Sequence, residues 1–225
     1  MTAAQAENPV VEGIRSLEVR WIFPGQPNTA VAGWFERFPA RVESREDAYL
    51  VKPQLRGLSV KIRGRGALEV KAYRGSPGVL EIAGRVQGRM EFWQKWSFPC
   101  GPLSQGGSAP PGWVLIHKQI SRIWPTSGQI QPRVRGQGDG RGCMVEFTEV
   151  HRHGQAWWTL GFEVIGAASQ LRHELEATAT LVIAQALPDG MELHTDHCQS
   201  YAEWLGQQPG TEPAPILNLR RGGDR

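Results

Sequence analysis

Cysteine, lysine and uninterrupted apolar sequence are all scarce in this chain, and each shortage narrows the field. Its 225 residues include three cysteines, Cys100, Cys143 and Cys198, odd in number and far apart. That pattern fits a reduced protein, not a disulfide-stapled secreted scaffold. The longest apolar run, Ala179 to Ala186, is broken by Thr180 and Gln185, so no segment offers the roughly 20 apolar residues of a membrane helix. Met1 to Glu7 lacks the basic start and apolar stretch of a secretory signal, so the expected location is cytoplasmic. No repeat recurs at solenoid or propeller spacing. Lysine numbers five against twenty arginines and is absent after Lys118.

What is present reads as one folded domain. Apolar residues make up 40% and charged residues 21%, while 27 Gly and 16 Pro imply many turns. The expected organisation is a flexible tail over 1–14, a domain over 15–206, and a second flexible tail over 207–225 rich in proline. The net charge of +3 hides a segregation. From Arg56 to Val145 fourteen Lys and Arg face four acids, whereas from Glu146 onward five face eleven. Arginine presents a rigid fork of donors suited to phosphate and carboxylate, so the bias towards it suggests anion recognition. A GC-rich genome would also favour arginine, but it would not gather the positive charge in mid-chain.

Short strands dominate the middle of the chain. Leu17 to Ile22 alternates apolar and charged residues at period two, the pattern of a strand with one polar face. Further strands are expected over Ala48 to Val51, Leu58 to Arg65, Ala67 to Arg74, Arg89 to Phe98 and Trp113 to Trp124. Cys143 to Val150 and Trp157 to Ile165 form a hairpin around His153-Gly154. Gly64-Arg65-Gly66 and Gly75-Ser76-Pro77-Gly78 read as hinges, and Gly136 to Gly142 as a flexible connector. Thr29 to Arg37 carries Val31, Trp34 and Phe35 at helical spacing behind a cap at Asn28 or Thr29. Leu171, Leu175, Ala179, Val182 and Ala186 place one apolar stripe on a second helix. A third, over Asp196 to Leu205, would bury Tyr201, Trp204 and Leu205.

The strand faces carry the functional signal, because residues i, i+2 and i+4 share a side. Lys61, Arg63 and Arg65 lie opposite Val60 and Ile62. Glu18 and Arg20 lie opposite Leu17, Val19 and Trp21. Glu69 and Lys71 form another such pair, as do Glu91 and Lys95, and Lys118 and Arg122 share a side. An antiparallel sheet with one solvated face would alternate in the same way. Amphipathic helices need an apolar sheet surface to cover, however, and the outside of a barrel supplies one. The expected fold is therefore α+β: an eight-stranded antiparallel tunnel barrel with a polar lumen and helices packed outside. In such a lumen, cations would hold a polyphosphate and carboxylates a hard divalent ion. Trp93 falls on the polar parity with Glu91 and Lys95, where it could stack on a base or thiazole ring. The other tryptophans named, Trp21, Trp34, Trp96, Trp158 and Trp204, are expected in the core.

In order and spacing over about residues 16–205 the chain resembles the triphosphate tunnel metalloenzymes, the CYTH superfamily of thiamine triphosphatases, tripolyphosphatases and class IV adenylyl cyclases. Ser16-x-Glu18-x-Arg20 resembles its opening strand, and Asp47-Ala48-Tyr49-Leu50 its next. Lys61-Ile62-Arg63 with Lys71 resembles its basic strands, and Ser200 to Leu205 its closing helix. The resemblance implies metal ligands at Glu18, Glu146 and Glu163, and a phosphate clamp of Arg20, Lys61, Arg63, Arg65, Lys71 and Arg122. Lys71 and Glu163 would be catalytic. It also implies Mg²⁺ or Mn²⁺ as cofactor and a phosphorylated small molecule as partner. Ser16 and Gly161 stand where the family has glutamates, and Arg20 where it has lysine. A metal-dependent triphosphatase and a non-catalytic anion-binding module are thus both open readings. Nucleic-acid binding draws only on the basic middle segment. His194-x-x-His197-Cys198 and His151-x-His153 lack the second ligand pair of a zinc site.

Overall fold

Each strand of this chain has one side that needs water and one that needs shelter. The computed structural model, which describes residues 13–55, 57–64, 66–100, 111–126, 129–131, 142–189 and 191–207, satisfies both by closing the sheet on itself. The strands are β1 (Ile14–Pro24), β2 (Arg41–Leu50), β3 (Leu58–Arg63), β4 (Ala67–Ile82), β5 (Val86–Pro99), β6 (Trp113–Thr126), β7 (Gln129–Gln131), β8 (Gly142–Arg152) and β9 (Gln155–Ile165). Their order is β2-β3-β4-β5-β1-β9-β8-β6, and β2 pairs with β6 to complete an eight-stranded antiparallel barrel. The short β7 adds to β6 outside the ring.

On β1 the alternation expected from sequence holds. Leu17, Val19 and Trp21 are at most 1% exposed and join the main core, while Glu18 and Arg20 face the bore. Two helices cover that outer wall. Helix α1 (Thr29–Glu36) is capped by Asn28, whose Oδ1 accepts from the Val31 N–H at 2.8 Å. It buries Val31, Trp34 and Phe35, with Phe35 stacked on Phe147 of β8 at 5.3 Å. Helix α2 (Leu171–Ile183) sinks Leu171, Leu175, Ala179 and Val182 against β1, β8 and β9. The expected stripe also ran on to Ala186, but the helix ends at Ile183 and Ala186 lies beyond it, exposed and with φ of +53°.

The third helix, α3 (Tyr201–Gln207), lies outside the barrel across one end of the bore. Its Trp204 and Leu205 pack with Ile22, Tyr49, Ile116, Val150 and Trp157, which lie on the inward-facing parity of their strands, and with Val51 just past β2. This second core closes that end. The helix starts at a capping box: the Glu203 N–H donates to Ser200 Oγ at 3.2 Å, and the Ser200 N–H donates to Glu203 Oε2 at 3.1 Å. The expected single helix over Asp196 to Leu205 is instead a 3-10 turn at Thr195–His197 followed by α3. No described helix is long and apolar enough to cross a membrane.

Other differences from the sequence reading have local causes. Strand β2 begins at Arg41, seven residues before the expected start, because Arg41 to Asp47 is polar on both faces and shows no apolar alternation. Gly75 to Gly78 is no hinge but a bulged stretch inside β4. Gly75 and Gly78 have φ of +113° and +115°, and the pairing with β5 shifts register there. Trp96 is half-buried rather than central. The expected Gly136 connector falls mostly, and both terminal tails almost wholly, outside the described residues; Ile14 already belongs to β1 and Gln207 to α3.

One glycine supports the core directly. A Cβ on Gly88 would run into the Trp21 ring and the Val19 Cγ2 methyl, both fully buried. Gly88→Ala is therefore expected to overpack the wall between β1 and β5 and destabilise by about 1–3 kcal/mol. Urea unfolding would show this as a lower midpoint at unchanged slope. A midpoint equal to the wild type would refute the close packing.

Candidate functional site

The inward faces of all eight barrel strands line one cavity holding about 730 Å³ of unfilled space, its mouth included. Seven cations line it: Arg20 (β1), Arg45 (β2), Lys61 and Arg63 (β3), Lys71 (β4), Arg89 (β5) and Lys118 (β6). Four carboxylates join them, Glu18, Glu91, Glu146 and Glu163. Strand register brings them together. Glu18 stands opposite Glu163 and Glu91, Arg20 and Glu146 both stand opposite Gly161, and Lys61 stands opposite Tyr49 and Glu69.

Three clusters divide the site. In the first, the Lys71 ammonium donates to Glu18 Oε1 at 2.6 Å and to Glu163 Oε1 at 3.0 Å, and Ser16 Oγ donates to the same Glu18 oxygen at 2.7 Å. Burial works against the Lys71 charge, yet Glu163 and Glu18 outweigh it and hold its pKa well above the ordinary lysine value. Burial likewise opposes the charge on Glu163, but Lys71 and Lys95 bring it down to about 2.

In the second cluster, Arg20 bonds Glu146 Oε1 at 3.2 Å and Thr159 Oγ1 at 2.9 Å. Arg122 donates from Nε to Glu146 Oε2 at 2.9 Å and from Nη1 to Glu43 at 2.6 Å. Thr148 donates to Glu146 Oε1 at 3.2 Å. Against the burial of Glu146, these two guanidiniums keep its carboxyl far below the usual range. Gly161 leaves room for this arrangement, since a Cβ there would lie 2.8 Å from the Arg20 Cζ.

The third cluster centres on Asp47, which is wholly buried. Arg45 reaches it at 3.0 Å, Lys118 at 3.6 Å and Lys61 at 3.7 Å. Burial raises the Asp47 pKa, but Lys61, Lys118 and Arg45 together lower it to about 2. Lys118 also donates to the Tyr49 hydroxyl at 2.7 Å and sits 3.6 Å from the centroid of the Tyr201 ring. Burial pushes the pKa of Lys118 and Lys61 down and that of Tyr49 up to about 12. Lys61 and Arg63 share Glu69 at 3.3 and 3.1 Å.

Nearer solvent, Arg89 spans Glu91 at 2.8 Å and Glu203 of α3 at 2.7 Å. Trp93 lines the cavity as its parity suggests, with its Nε1–H held by Glu91 Oε2 at 3.1 Å.

Of the residues singled out from sequence, Glu18, Arg20, Lys61, Arg63, Lys71, Glu146 and Glu163 all line this cavity. Arg122 stands behind Glu146 rather than on the lining, and Arg65 lies outside the described residues. Arg45, Asp47, Arg89 and Tyr201 were not assigned to the site from sequence. Nothing local marks the first two, because Ser44 and Glu46 between them are polar as well.

The donor set does not fit a divalent ion. Glu18 and Glu163 converge, but on an ammonium, and both oxygens of Glu146 are engaged by guanidiniums. Among the described residues no three His, Cys, Asp or Glu side chains gather as a ligand set.

No family model and no curated protein matches the chain. Eighteen solved chains do match by structure. One is the PH1819 protein of Pyrococcus horikoshii OT3, 12% identical with a TM-score of 0.46, the match covering 84% of this chain and 97% of that one. A second is the S. pombe Pct1 RNA triphosphatase in complex with the Spt5 CTD, 9% identical with a TM-score of 0.39, covering 80% and 84%. A third is the putative adenylyl cyclase HpAC1 from Hippeastrum, described as having a dominant triphosphatase activity. It is 10% identical with a TM-score of 0.39, covering 79% and 92%. At these levels the chemistry of the site has to be argued from its own residues.

Proposed function

We propose that the bore binds a small polyanion carrying a chain of phosphates. The observation that supports this is the convergence of seven cationic side chains, against four carboxylates, on a single cavity. Phosphate oxygens are matched by arginine forks and lysine point charges, and a half-enclosed bore strengthens each such contact relative to water. Arg63 and Arg89, each about two-fifths exposed, would meet the anion first, with Lys61, Lys71 and Arg20 deeper. Arg122 would act through Glu146 and Arg20, and Arg65 is proposed for the clamp on its sequence pattern alone. Trp93 would lie against any planar organic group. Because these cations face inward, a small ligand suits them better than a nucleic-acid duplex.

A second reading adds hydrolysis of a triphosphate with Mg²⁺ or Mn²⁺, with Lys71 and Glu163 as its catalytic groups. The presence of Glu18, Glu146 and Glu163 on one cavity with Lys71 is the feature in its favour. Calorimetric titration with tripolyphosphate, ATP and thiamine triphosphate tests the first reading, and phosphate release with and without Mg²⁺ tests the second. Binding without turnover would leave an anion-binding module. No binding of any of the three would reject the polyanion reading.

A further inference from the structure

We infer that the bore takes its phosphate chain as the bare anion, with the Lys71 ammonium and the Arg20 guanidinium supplying the positive charge that a bound divalent ion would otherwise bring. The inference rests on the polyanion reading above and concerns the same cavity.

Glu18 Oε1 and Glu163 Oε1 converge on one point, and the Lys71 Nζ fills it, within 3.0 Å of both. A magnesium or calcium ion bridging them would need contacts of about 2.0–2.6 Å to each, and so would claim the volume that Nζ fills. The Glu18 oxygen is further occupied by a hydrogen bond from Ser16. Glu146 offers no alternative, since Arg20 and Thr148 hold one oxygen and Arg122 the other.

The bore face of β9 points the same way. Between Thr159 and Glu163 it carries Gly161, and the space a side chain would take there contains the Arg20 guanidinium, whose Cζ and nitrogens lie 2.8–3.0 Å from an ideal Cβ. A cation therefore sits where another oxygen ligand could have projected. Across the carboxylates Glu18, Glu146 and Glu163, three cations, Lys71, Arg20 and Arg122, are already bonded, Arg122 being shared with Glu43. These carboxylates are already paired, and a divalent ion would have to displace those cations or add its charge beside them in a half-buried setting. A polyphosphate complexed with Mg²⁺ brings less negative charge to the same donors, so it is the poorer ligand.

The test titrates tripolyphosphate into the full chain by calorimetry, once in EDTA and once in excess Mg²⁺. In parallel, Mn²⁺ alone is titrated into the protein and the free-ion signal followed by electron paramagnetic resonance. The expected results are binding in EDTA, apparent affinity roughly tenfold weaker in excess Mg²⁺, equivalent to one charge-assisted hydrogen bond, and no depletion of free Mn²⁺ by the protein. Binding that requires Mg²⁺, or stoichiometric uptake of Mn²⁺ by the free protein, overturns the inference while leaving the polyanion reading intact. No tripolyphosphate binding in either buffer rejects that reading and takes the inference with it.

Discussion

Replacing Lys71 with methionine should weaken tripolyphosphate binding by roughly tenfold to a hundredfold, the value of a charge-assisted hydrogen bond in the cavity. The same change should destabilise the fold by up to about 3 kcal/mol, because two half-buried carboxylates lose the cation they share. Glu18 and Glu163 meet at that single Nζ, at 2.6 and 3.0 Å. Without it, Glu163 loses the charge that most lowers its pKa against burial. In the wild type that carboxylate adds stability that is fully present above about pH 4.5 and lost as pH falls towards about 2, so the variant's stability deficit should be largest at pH 7 and shrink below about pH 4.5. Urea unfolding at pH 7 and pH 4 measures the change, and calorimetry measures the affinity. Lys71→Arg keeps the charge and should retain most of both. A methionine variant as stable as the wild type, and binding as tightly, would mean that Lys71 is not the strut of the site.

How much of this was legible in the sequence depends on whether a strand's two faces differ in polarity. On β1, Leu17, Val19 and Trp21 alternate with Glu18 and Arg20, so both the strand and its inward charges could be read directly. The same holds for Lys61 and Arg63 on β3. On β2 the run Arg41 to Asp47 is polar at every position but Val42. Arg45 and Asp47 therefore differ from Ser44 and Glu46 only once the ring has closed, when odd positions face the bore and even ones face water. Lys118 shares its parity with Ile116 and Ile120, a mixture that hid its place beside Asp47. Gly161 reads in sequence as a missing carboxylate. Its role as the space for the Arg20 guanidinium depends on a cross-strand register that no local pattern specifies. Helix α3 was visible through Trp204 and Leu205, but burial alone does not distinguish a helix on the wall from one across the end of the bore.

Asp47→Asn, the charge deletion at the best-buried acid of the site, should cost about 3–5 kcal/mol, since it leaves buried cations without their counter-charge. Asp47 is fully enclosed and faces Arg45, Lys61 and Lys118 within 3.7 Å. Glu43 pairs with Arg45, and Glu69 pairs with Lys61, so those two cations keep one partner each. Lys118 keeps only the Tyr49 hydroxyl and the Tyr201 ring among its close contacts described above. The wild-type Asp47 pKa, lowered from 3.8 to about 2, sets the pH window. Its stabilisation is fully present above pH 3.8 and is lost as pH falls through about 2. The wild-type advantage over Asn should accordingly be constant from pH 7 to about pH 4 and narrow below that, as read by urea unfolding. The substitution should also change the alkaline limb of anion binding. Burial already favours the neutral forms of Lys61 and Lys118, and Asp47 is a charge that opposes this. With Asp47 gone, both lysines lose their protons at lower pH, so tripolyphosphate affinity should begin to fall at a lower pH in the variant than in the wild type. Identical alkaline limbs, together with an undiminished unfolding midpoint, would show that Asp47 neither holds these lysines charged nor anchors the barrel wall around them.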